Sequence, residues 1–147
     1  MKITNRRAFY DYQILARIEA GISLSGPEVK AVRGGHVDLK GSFVRIIGSE
    51  AYLLNTKIYP YRFAAGEYDE RRTRKLLLHK REIIALKTKT QRAGLTLVPL
   101  SLYIRGGFIK LEIGLGKGKR QFEKREVKRR RDIQRELTAL DFPSKVG

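Results

Sequence analysis

The chain has 147 residues, contains no cysteine and has no long apolar run. Without cysteine it can form neither disulfides nor thiolate metal sites, which fits a reducing cytosol. No stretch approaches the roughly 18 apolar residues that cross a bilayer, and residues 1–12 lack the apolar core of a signal peptide. We therefore expect a cytoplasmic protein without a membrane partner.

Residues that commonly carry catalysis are also scarce. The two histidines, His36 and His79, lie in unrelated segments, and neither has a partner at metal-ligand spacing. No Ser/His/Asp or Cys/His set is available, and the glycine-rich residues 114–119 lack the spacing of a phosphate-binding loop. We predict no catalytic residue, no metal and no cofactor, and we expect a protein that is not an enzyme.

Positive charge is what the chain has in excess. Its 32 Lys/Arg against 15 Asp/Glu give a formal net charge of +17, and ten of these cations fall within residues 117–135, beside three acidic residues. Such a segment repels itself unless an anionic partner neutralises it. A phosphate backbone does so with release of counterions, and the charge therefore predicts a nucleic-acid partner.

The apolar alternation ends close to Gly116, and this break predicts two parts. We expect a folded RNA-binding domain over residues 1–116 and a basic C-terminal tail over residues 117–147, disordered or helical when bound. In a helix, Ile133, Leu137 and Leu140 would form one apolar stripe, which favours a tail that folds on RNA. The alternative is an unstructured extension that only adds affinity.

Hydrophobic periodicity predicts five or six short strands and two or three helices. Pro99 requires that its strand bulge or lie at an edge, and residues 60–74 have no period and predict a mobile cationic loop that carries aromatic residues. The apolar residues Leu76, Leu77, Leu78, Ile83, Ile84 and Leu86 are predicted core. The predicted strands cover residues 12–20, 43–47, 51–59, 95–104 and 108–115, and the predicted helices cover residues 27–33 and 79–92.

These elements predict a mainly β domain with peripheral helices. Short connections favour antiparallel pairing, and closure of the sheet removes exposed edges. We therefore expect a small antiparallel closed barrel with a basic tail, and the alternative is an open α+β sandwich.

Several strings occur in the order typical of one family, and two of them, of nine and seven residues, are each improbable by chance. They include Asn5-Arg6-Arg7-Ala8, Glu19-Ala20-Gly21, Gly41-Ser42-Phe43, Arg74-Lys75-Leu76-Leu77-Leu78-His79-Lys80-Arg81-Glu82, Gly94-Leu95-Thr96-Leu97-Val98-Pro99-Leu100 and Lys117-Gly118-Lys119-Arg120. Together they resemble the small protein B family, the tmRNA-binding (SsrA-binding) proteins of bacterial trans-translation.

The resemblance implies an oligonucleotide-binding-like barrel and a monomeric RNA-binding adaptor. Such an adaptor binds the tRNA-like part of tmRNA and delivers it to stalled ribosomes for ribosome rescue and peptide tagging. Its tail is expected to contact small-subunit rRNA near the decoding centre and to occupy the empty mRNA channel. This chain departs from the family pattern at Phe9-Tyr10, where Arg-His is common, and at Phe122-Glu123, where Tyr and Asp are usual.

The predicted contacts divide between the domain and the tail. Residues 5–7 either clamp phosphate or form a solvated terminus, Glu28 either meets a ribose hydroxyl or stabilises a helix start, and His79 either caps a helix or contacts RNA. Arg74 and Lys75 are predicted to be exposed. The RNA contacts of the domain are Asn5, Arg6, Arg7, Tyr10, Glu28, Lys30, Arg33, Arg74, Lys75, His79, Lys80 and Arg81. The ribosome contacts of the tail are Lys117, Lys119, Arg120, Phe122, Glu123, Lys124, Arg125, Lys128, Arg129, Arg130 and Arg131.

Two other functions fit the same charge. A structural ribosomal RNA-binding protein is equally basic, but it would remain with ribosomes in high salt, whereas an adaptor would wash off. An RNA-processing enzyme would form product from structured RNA and a divalent metal.

Overall fold

The structure is a computed structural model and describes residues 2–59 and 69–119. Nine strands and three helices follow one another in this part of the chain. In order they are β1 (Lys2–Thr4), α1 (Arg6–Asp11), β2 (Tyr12–Ile22), α2 (Gly26–Arg33), β3 (Val37–Asp38), β4 (Phe43–Ile47), β5 (Glu50–Leu54), β6 (Lys57–Ile58), β7 (Arg74–Leu77), α3 (Lys80–Ala93), β8 (Thr96–Arg105) and β9 (Phe108–Gly118).

Seven of the strands form one antiparallel sheet in the order β1-β8-β9-β2-β7-β5-β4, and β3 pairs with β6. The mainly β fold with a few helices is confirmed. The predicted closed barrel is wrong for the described residues, because the sheet order ends at β1 and β4. Part of the open side of β8 is occupied by residues next to β1: the backbone N–H of Asn5 donates to the Leu100 carbonyl across 2.8 Å.

The strand that carries Pro99 bulges, as predicted. The pairing of β8 with β9 shifts register between Pro99 and Ser101, so the missing N–H of Pro99 interrupts no regular ladder. Strand β9 continues to Gly118, beyond the predicted end at Leu115. Its glycine-rich end is therefore extended strand, in agreement with the rejection of a phosphate-binding loop.

Apolar side chains on the inner face of the sheet form the main core, together with α2 and α3. Leu76, Ile83 and Leu86 are buried there as predicted. Leu77 and Ile84 were predicted core, and this is wrong, because each is 56% exposed. In β7 the alternation of a strand points Leu77 outward, and Ile84 lies beside the inward stripe of α3.

A smaller cluster packs on the outer face. Ala8 of α1 contacts Val98 and Leu100 of β8 there. Gly114 of β9 makes room for this layer, because a Cβ at that position would lie 2.9 Å from the Cδ1 of Leu100. This packing holds α1 against the end of β9, where the predicted tail begins.

The ends of α2 and α3 follow the expected capping chemistry. The Ser25 hydroxyl accepts from the Glu28 N–H while Glu28 accepts from the Ser25 N–H, which forms a capping box. His79 is the N-cap residue of α3, and its backbone N–H donates to the Glu82 carboxylate across 2.9 Å. Gly94 ends α3 in the left-handed conformation, with φ of 64°.

Candidate nucleic-acid interface

Burial separates the predicted RNA contacts of the domain into three classes. Asn5, Glu28 and Arg74 are buried, with relative exposures of 8%, 1% and 0%. Tyr10 is half-buried, and the other eight side chains are exposed. These eight are Arg6, Arg7, Lys30, Arg33, Lys75, His79, Lys80 and Arg81.

The prediction that Arg74 is exposed is wrong, because its guanidinium is satisfied inside the protein. Its Nε donates to the Glu28 carboxylate across 2.7 Å. Its two terminal nitrogens donate to the carbonyls of Thr56 and Glu70 across 2.6 and 3.0 Å. An arginine with these partners joins α2, β7 and the segment after β5, so Arg74 has a structural role in the fold.

Glu28 likewise has a structural role: it is buried and caps the start of α2, which is the alternative that the sequence offered. Its contact with a ribose hydroxyl stays a prediction. Burial favours the neutral acid and would raise its pKa, but hydrogen bonds from Arg72, the Ser25 backbone and Arg74 outweigh this, so the pKa of Glu28 lies below its ordinary value. Arg72 was not predicted, and it forms an ion pair with the same carboxylate. The sequence gives little indication of this pair, because Arg72 lies 44 positions from Glu28.

Asn5 has a structural contact, and its predicted contact with phosphate stays a prediction. Its side-chain nitrogen donates to the Pro99 carbonyl across 2.9 Å, in a buried contact. This contact lies at the bulge of β8 and fixes the start of α1 on the sheet. It thereby positions Arg6 and Arg7, which are exposed on that helix.

Predicted contacts from the domain and from the tail meet at the junction of α1 and β9. Lys119 donates through its backbone N–H to the Asp11 carbonyl across 2.9 Å and through Nζ to the Phe9 carbonyl across 3.0 Å. Lys117 lies opposite Gln13 in the β2–β9 pair. We call Arg6, Arg7, Tyr10, Lys117 and Lys119 the junction surface.

The surroundings of Arg7 leave its guanidinium available to a phosphate group. Its guanidinium carbon lies 5.1 Å from the centre of the Tyr10 ring, and its Nε lies 3.0 Å from a carboxylate oxygen of Asp11. An exposed pair of this kind contributes little to stability. A phosphate can therefore compete for the guanidinium at small cost.

A second exposed group, the α3 N-terminal surface, consists of His79, Lys80 and Arg81. The helix dipole places partial positive charge at this end, so cations here do not stabilise the helix, whereas an anion would. Glu82 offsets part of the charge through its hydrogen bond to the His79 backbone. The position of Lys80 and Arg81 is therefore not explained by helix stability, and it favours an anionic partner.

The two predicted cations of α2 lie at the opposite end of their helix. Lys30 and Arg33 are in its last turn, where the helix dipole favours positive charge, so stability accounts for part of their presence. Arg33 donates to the Gly107 carbonyl across 3.4 Å. Both side chains are exposed and can still reach phosphate.

The outer face also holds a network that the sequence pattern did not indicate. The Tyr103 hydroxyl donates to the Glu19 carboxylate across 2.5 Å, and Arg105 donates to the same oxygen across 2.9 Å. Burial and the neighbouring Glu19 raise the pKa of Tyr103 to about 12. The residues lie 84 positions apart, so only the sheet register brings them together.

Within residues 2–59 and 69–119, no group of three or more His, Cys, Asp or Glu side chains could hold a metal ion. Among the helices of the same residues, none is long and apolar enough to cross a membrane. The predicted tail contacts from Arg120 to Arg131, and the apolar stripe at Ile133, Leu137 and Leu140, lie outside the described residues.

Comparisons with known proteins agree on one family. The family model described as "SmpB protein" matches residues 2–140. The chain is 49% identical over 136 residues to an SsrA-binding protein of Persephonella marina, covering 92% of this chain and 90% of that protein. It is 50% identical over 137 residues to an SsrA-binding protein of Carboxydothermus hydrogenoformans, covering 90% of each.

A solved structure is similar as well. A chain from the structure described as "tmRNA-SmpB: a journey to the center of the bacterial ribosome" is 47% identical, with a TM-score of 0.68. The match covers 88% of this chain and 95% of that one.

Proposed function

This chain belongs to the SmpB family, and we propose on that basis that it binds the tRNA-like part of tmRNA and carries it to stalled ribosomes. In this proposal it is a monomeric, cytoplasmic adaptor for trans-translation and catalyses no reaction. Relatives named SsrA-binding proteins support the RNA partner. The similarity to a chain from a tmRNA-SmpB structure supports both tmRNA and the ribosome as partners.

The observation that carries the assignment to particular residues is the junction surface. Lys119 is tied to Asp11 and Phe9 of α1, so cations of the domain and the first cations of the tail share one surface. A polyanion bound there would contact both parts at once. We assign tmRNA to this surface, including Lys117 and Lys119, which were predicted from the sequence as ribosome contacts of the tail. We also assign tmRNA to the α3 N-terminal surface, whose Lys80 and Arg81 have no stabilising role in their helix.

The tail has a different role in this proposal. Its cations beyond Lys119 engage small-subunit rRNA and occupy the mRNA channel, where a basic segment is neutralised by surrounding phosphates. The residues proposed for this role are Arg120, Phe122, Glu123, Lys124, Arg125, Lys128, Arg129, Arg130 and Arg131. The tail leaves the domain at the junction surface, so tmRNA and the ribosomal contact of the tail would lie side by side.

Recovery of the bound RNA tests the proposed function. The full chain, carrying an affinity tag at its N-terminus, is isolated from a lysate of bacteria that contain tmRNA, and the RNA is sequenced after low-salt and high-salt washes of the ribosome fraction. We expect strong enrichment of tmRNA, and we expect high salt to remove the protein from ribosomes. Stoichiometric retention on ribosomes in high salt, without tmRNA enrichment, would instead identify a structural ribosomal protein.

A further inference from the structure

The outward face of β4, β5 and β7 is exposed except at Tyr52, which is half-buried, and only Lys75 of its residues was predicted as an RNA contact. It alternates with the buried side chains of the same strands. Three large apolar side chains on it, Phe43, Ile47 and Leu77, are exposed. We call the residues Phe43, Arg45, Ile47, Tyr52, Lys75 and Leu77 the β4–β5–β7 face.

The strand register arranges cations and aromatic rings on this face in alternation. Arg45 lies opposite Tyr52, and Tyr52 lies opposite Lys75, so the three form one row across three strands. The guanidinium carbon of Arg45 lies 5.2 Å from the centre of the Phe43 ring. The Phe43 ring is thus held next to a cation, and Tyr52 has a cationic residue opposite it on each neighbouring strand.

A groove adjoins the row at the edge of the sheet. It lies between β4, the last turns of α3 and the start of β8, and its volume is about 460 Å³. Phe43 and Arg45 line one side of it, and Lys87 and Gln91 line the other. Within the described residues β4 has no hydrogen-bonded neighbour on this side, so polar groups of its backbone also face the groove.

The charges on this face indicate what kind of partner covers it. Arg45, Lys75 and Lys87 are cations, and Glu50, a carboxylate beside the row, lies 3.5 Å from Lys75. The surroundings of the aromatic rings are therefore net positive. Exposed aromatic rings with interleaved cations on a sheet are how proteins hold unpaired nucleotides, since every base has a face that can stack.

We propose that the β4–β5–β7 face binds unpaired nucleotides of RNA by base stacking. Bases stack on the rings of Phe43 and Tyr52, and phosphates lie against the flanking cations Arg45, Lys75 and Lys87. The proposal rests on the proposed function in that the chain binds RNA. It adds a second surface with a different specificity, for single-stranded segments rather than for the phosphates of a folded RNA.

The test uses the full chain and an eight-nucleotide single-stranded RNA that carries 2-aminopurine at its centre, because stacking on an aromatic ring changes the fluorescence of this base. We expect the unmodified chain to bind this RNA and to change its fluorescence. The Phe43→Leu and Tyr52→Leu substitutions should each lower the affinity about 5-fold or more and reduce the fluorescence change. Phe43→Tyr, which keeps the ring, should preserve both.

A matched control comes from the same strand. Ile47 is also exposed on this face but cannot stack on a base, so Ile47→Ala should leave the affinity unchanged. Thermal unfolding of each variant identifies any loss of fold, and Phe43→Tyr provides a conservative variant for the same position. An eight-base-pair duplex should bind the unmodified chain and the Phe43→Leu variant equally, because its bases are not available.

Other outcomes overturn the proposal. If Phe43→Leu and Ile47→Ala weaken single-strand binding equally, or if neither does, the face is not a stacking surface. If the substitutions change self-association in sedimentation but not RNA binding, the face is a protein interface. The proposed function is measured separately through tmRNA affinity of the unmodified chain, which would survive either result, whereas failure to bind tmRNA at all would remove the proposed function.

Discussion

The Nε of Arg74 donates to the Glu28 carboxylate across 2.7 Å, and both side chains are buried. The two residues lie 46 positions apart, and their contact ties the first turn of α2 to the start of β7. Arg74 begins the cationic string that continues with Lys75 and, after three leucines, His79, Lys80 and Arg81. Arg74 is thus buried, whereas the other cations of the string are exposed. Substitutions can therefore measure the contribution of Arg74 to stability separately from that of its neighbours.

Replacing Arg74 with alanine should destabilise the fold. The change leaves Glu28 as a buried carboxylate with one remaining ion pair, to the half-buried Arg72, and loss of one partner of a buried pair costs about 3–5 kcal/mol. Urea unfolding at neutral pH measures the loss. Lys75→Ala is the matched control at the next position. Its pair with Glu50 lies in solvent, so it should change the stability by less than about 0.5 kcal/mol. Equal stability of the two variants would show that the buried contacts of Arg74 do not contribute to the free energy of unfolding.

The pH dependence of stability should reveal the state of Glu28. Its pKa is lowered in the folded protein, so the folded state favours the charged form and gains stability at neutral pH. This contribution should fall as the pH drops below about 4.5, the ordinary value, and should vanish once the pH is below the lowered pKa. Urea unfolding from pH 7 to pH 3 measures the free energy of unfolding, and Glu28→Gln should remove this part of its decrease at acid pH. Glu50→Gln, at an exposed pair, should leave the decrease unchanged. An unchanged decrease in Glu28→Gln would contradict the assignment.

Gly114 is expected to tolerate no side chain. A Cβ there would lie 2.9 Å from the Cδ1 of Leu100, under α1, and overpacking of this kind costs about 1–3 kcal/mol. Thermal or urea unfolding of Gly114→Ala measures the loss. Gly118→Ala, near the end of the same strand and with no atom within 4 Å of its Cβ, should lie within about 0.5 kcal/mol of the unmodified chain. A stable Gly114→Ala variant would mean that the outer layer can move aside.

Binding of tmRNA should depend steeply on salt. A footprint of about 5–8 phosphates predicts a slope of roughly −4 to −7 in a plot of log affinity against log salt concentration. Lys80→Ala and Arg81→Ala should each weaken binding and reduce the slope by about 1, without a change in the melting temperature. Filter binding or fluorescence anisotropy from low to high salt measures both quantities. A slope near zero would rule out phosphate contacts as the basis of binding.

Local periodicity predicted much of the fold. The strand that begins at Tyr12, the hairpin of β4 and β5, both predicted helices and the bulge at Pro99 were all predicted from neighbouring residues alone, and the resemblance to the family is confirmed. Short elements at the N-terminus were missed: β1 has three residues and α1 has six, which is too short for a period to be detected.

The predictions that failed depended on contacts between distant residues. Arg74 was expected on the surface because a lone arginine is rarely buried, and its partner Glu28 is far away in the sequence. For the same reason β7 was not predicted as a strand: its first residue, Arg74, was placed at the end of a loop, and its leucines were predicted only as core. The sheet was predicted to close into a barrel, and it does not. Whether a sheet closes depends on whether its edge strands pair, here β4 with β8, and neighbouring residues in the sequence do not determine this. Strand β1 and the backbone of Asn5 occupy part of the β8 edge instead.

The division of labour between domain and tail is the central claim, and a chain that ends at Lys119 tests it. The buried core residues of the described part of the chain end at Leu115, and Lys119 keeps its hydrogen bonds to α1. This shortened protein should therefore fold. The two measurements are its equilibrium affinity for tmRNA and its activity in a reconstituted tagging assay on a ribosome stalled at a message end. We predict nearly unchanged affinity and loss of tagging. A fall in affinity that matches the loss of tagging would contradict the claim and would make the tail an extension that only adds affinity.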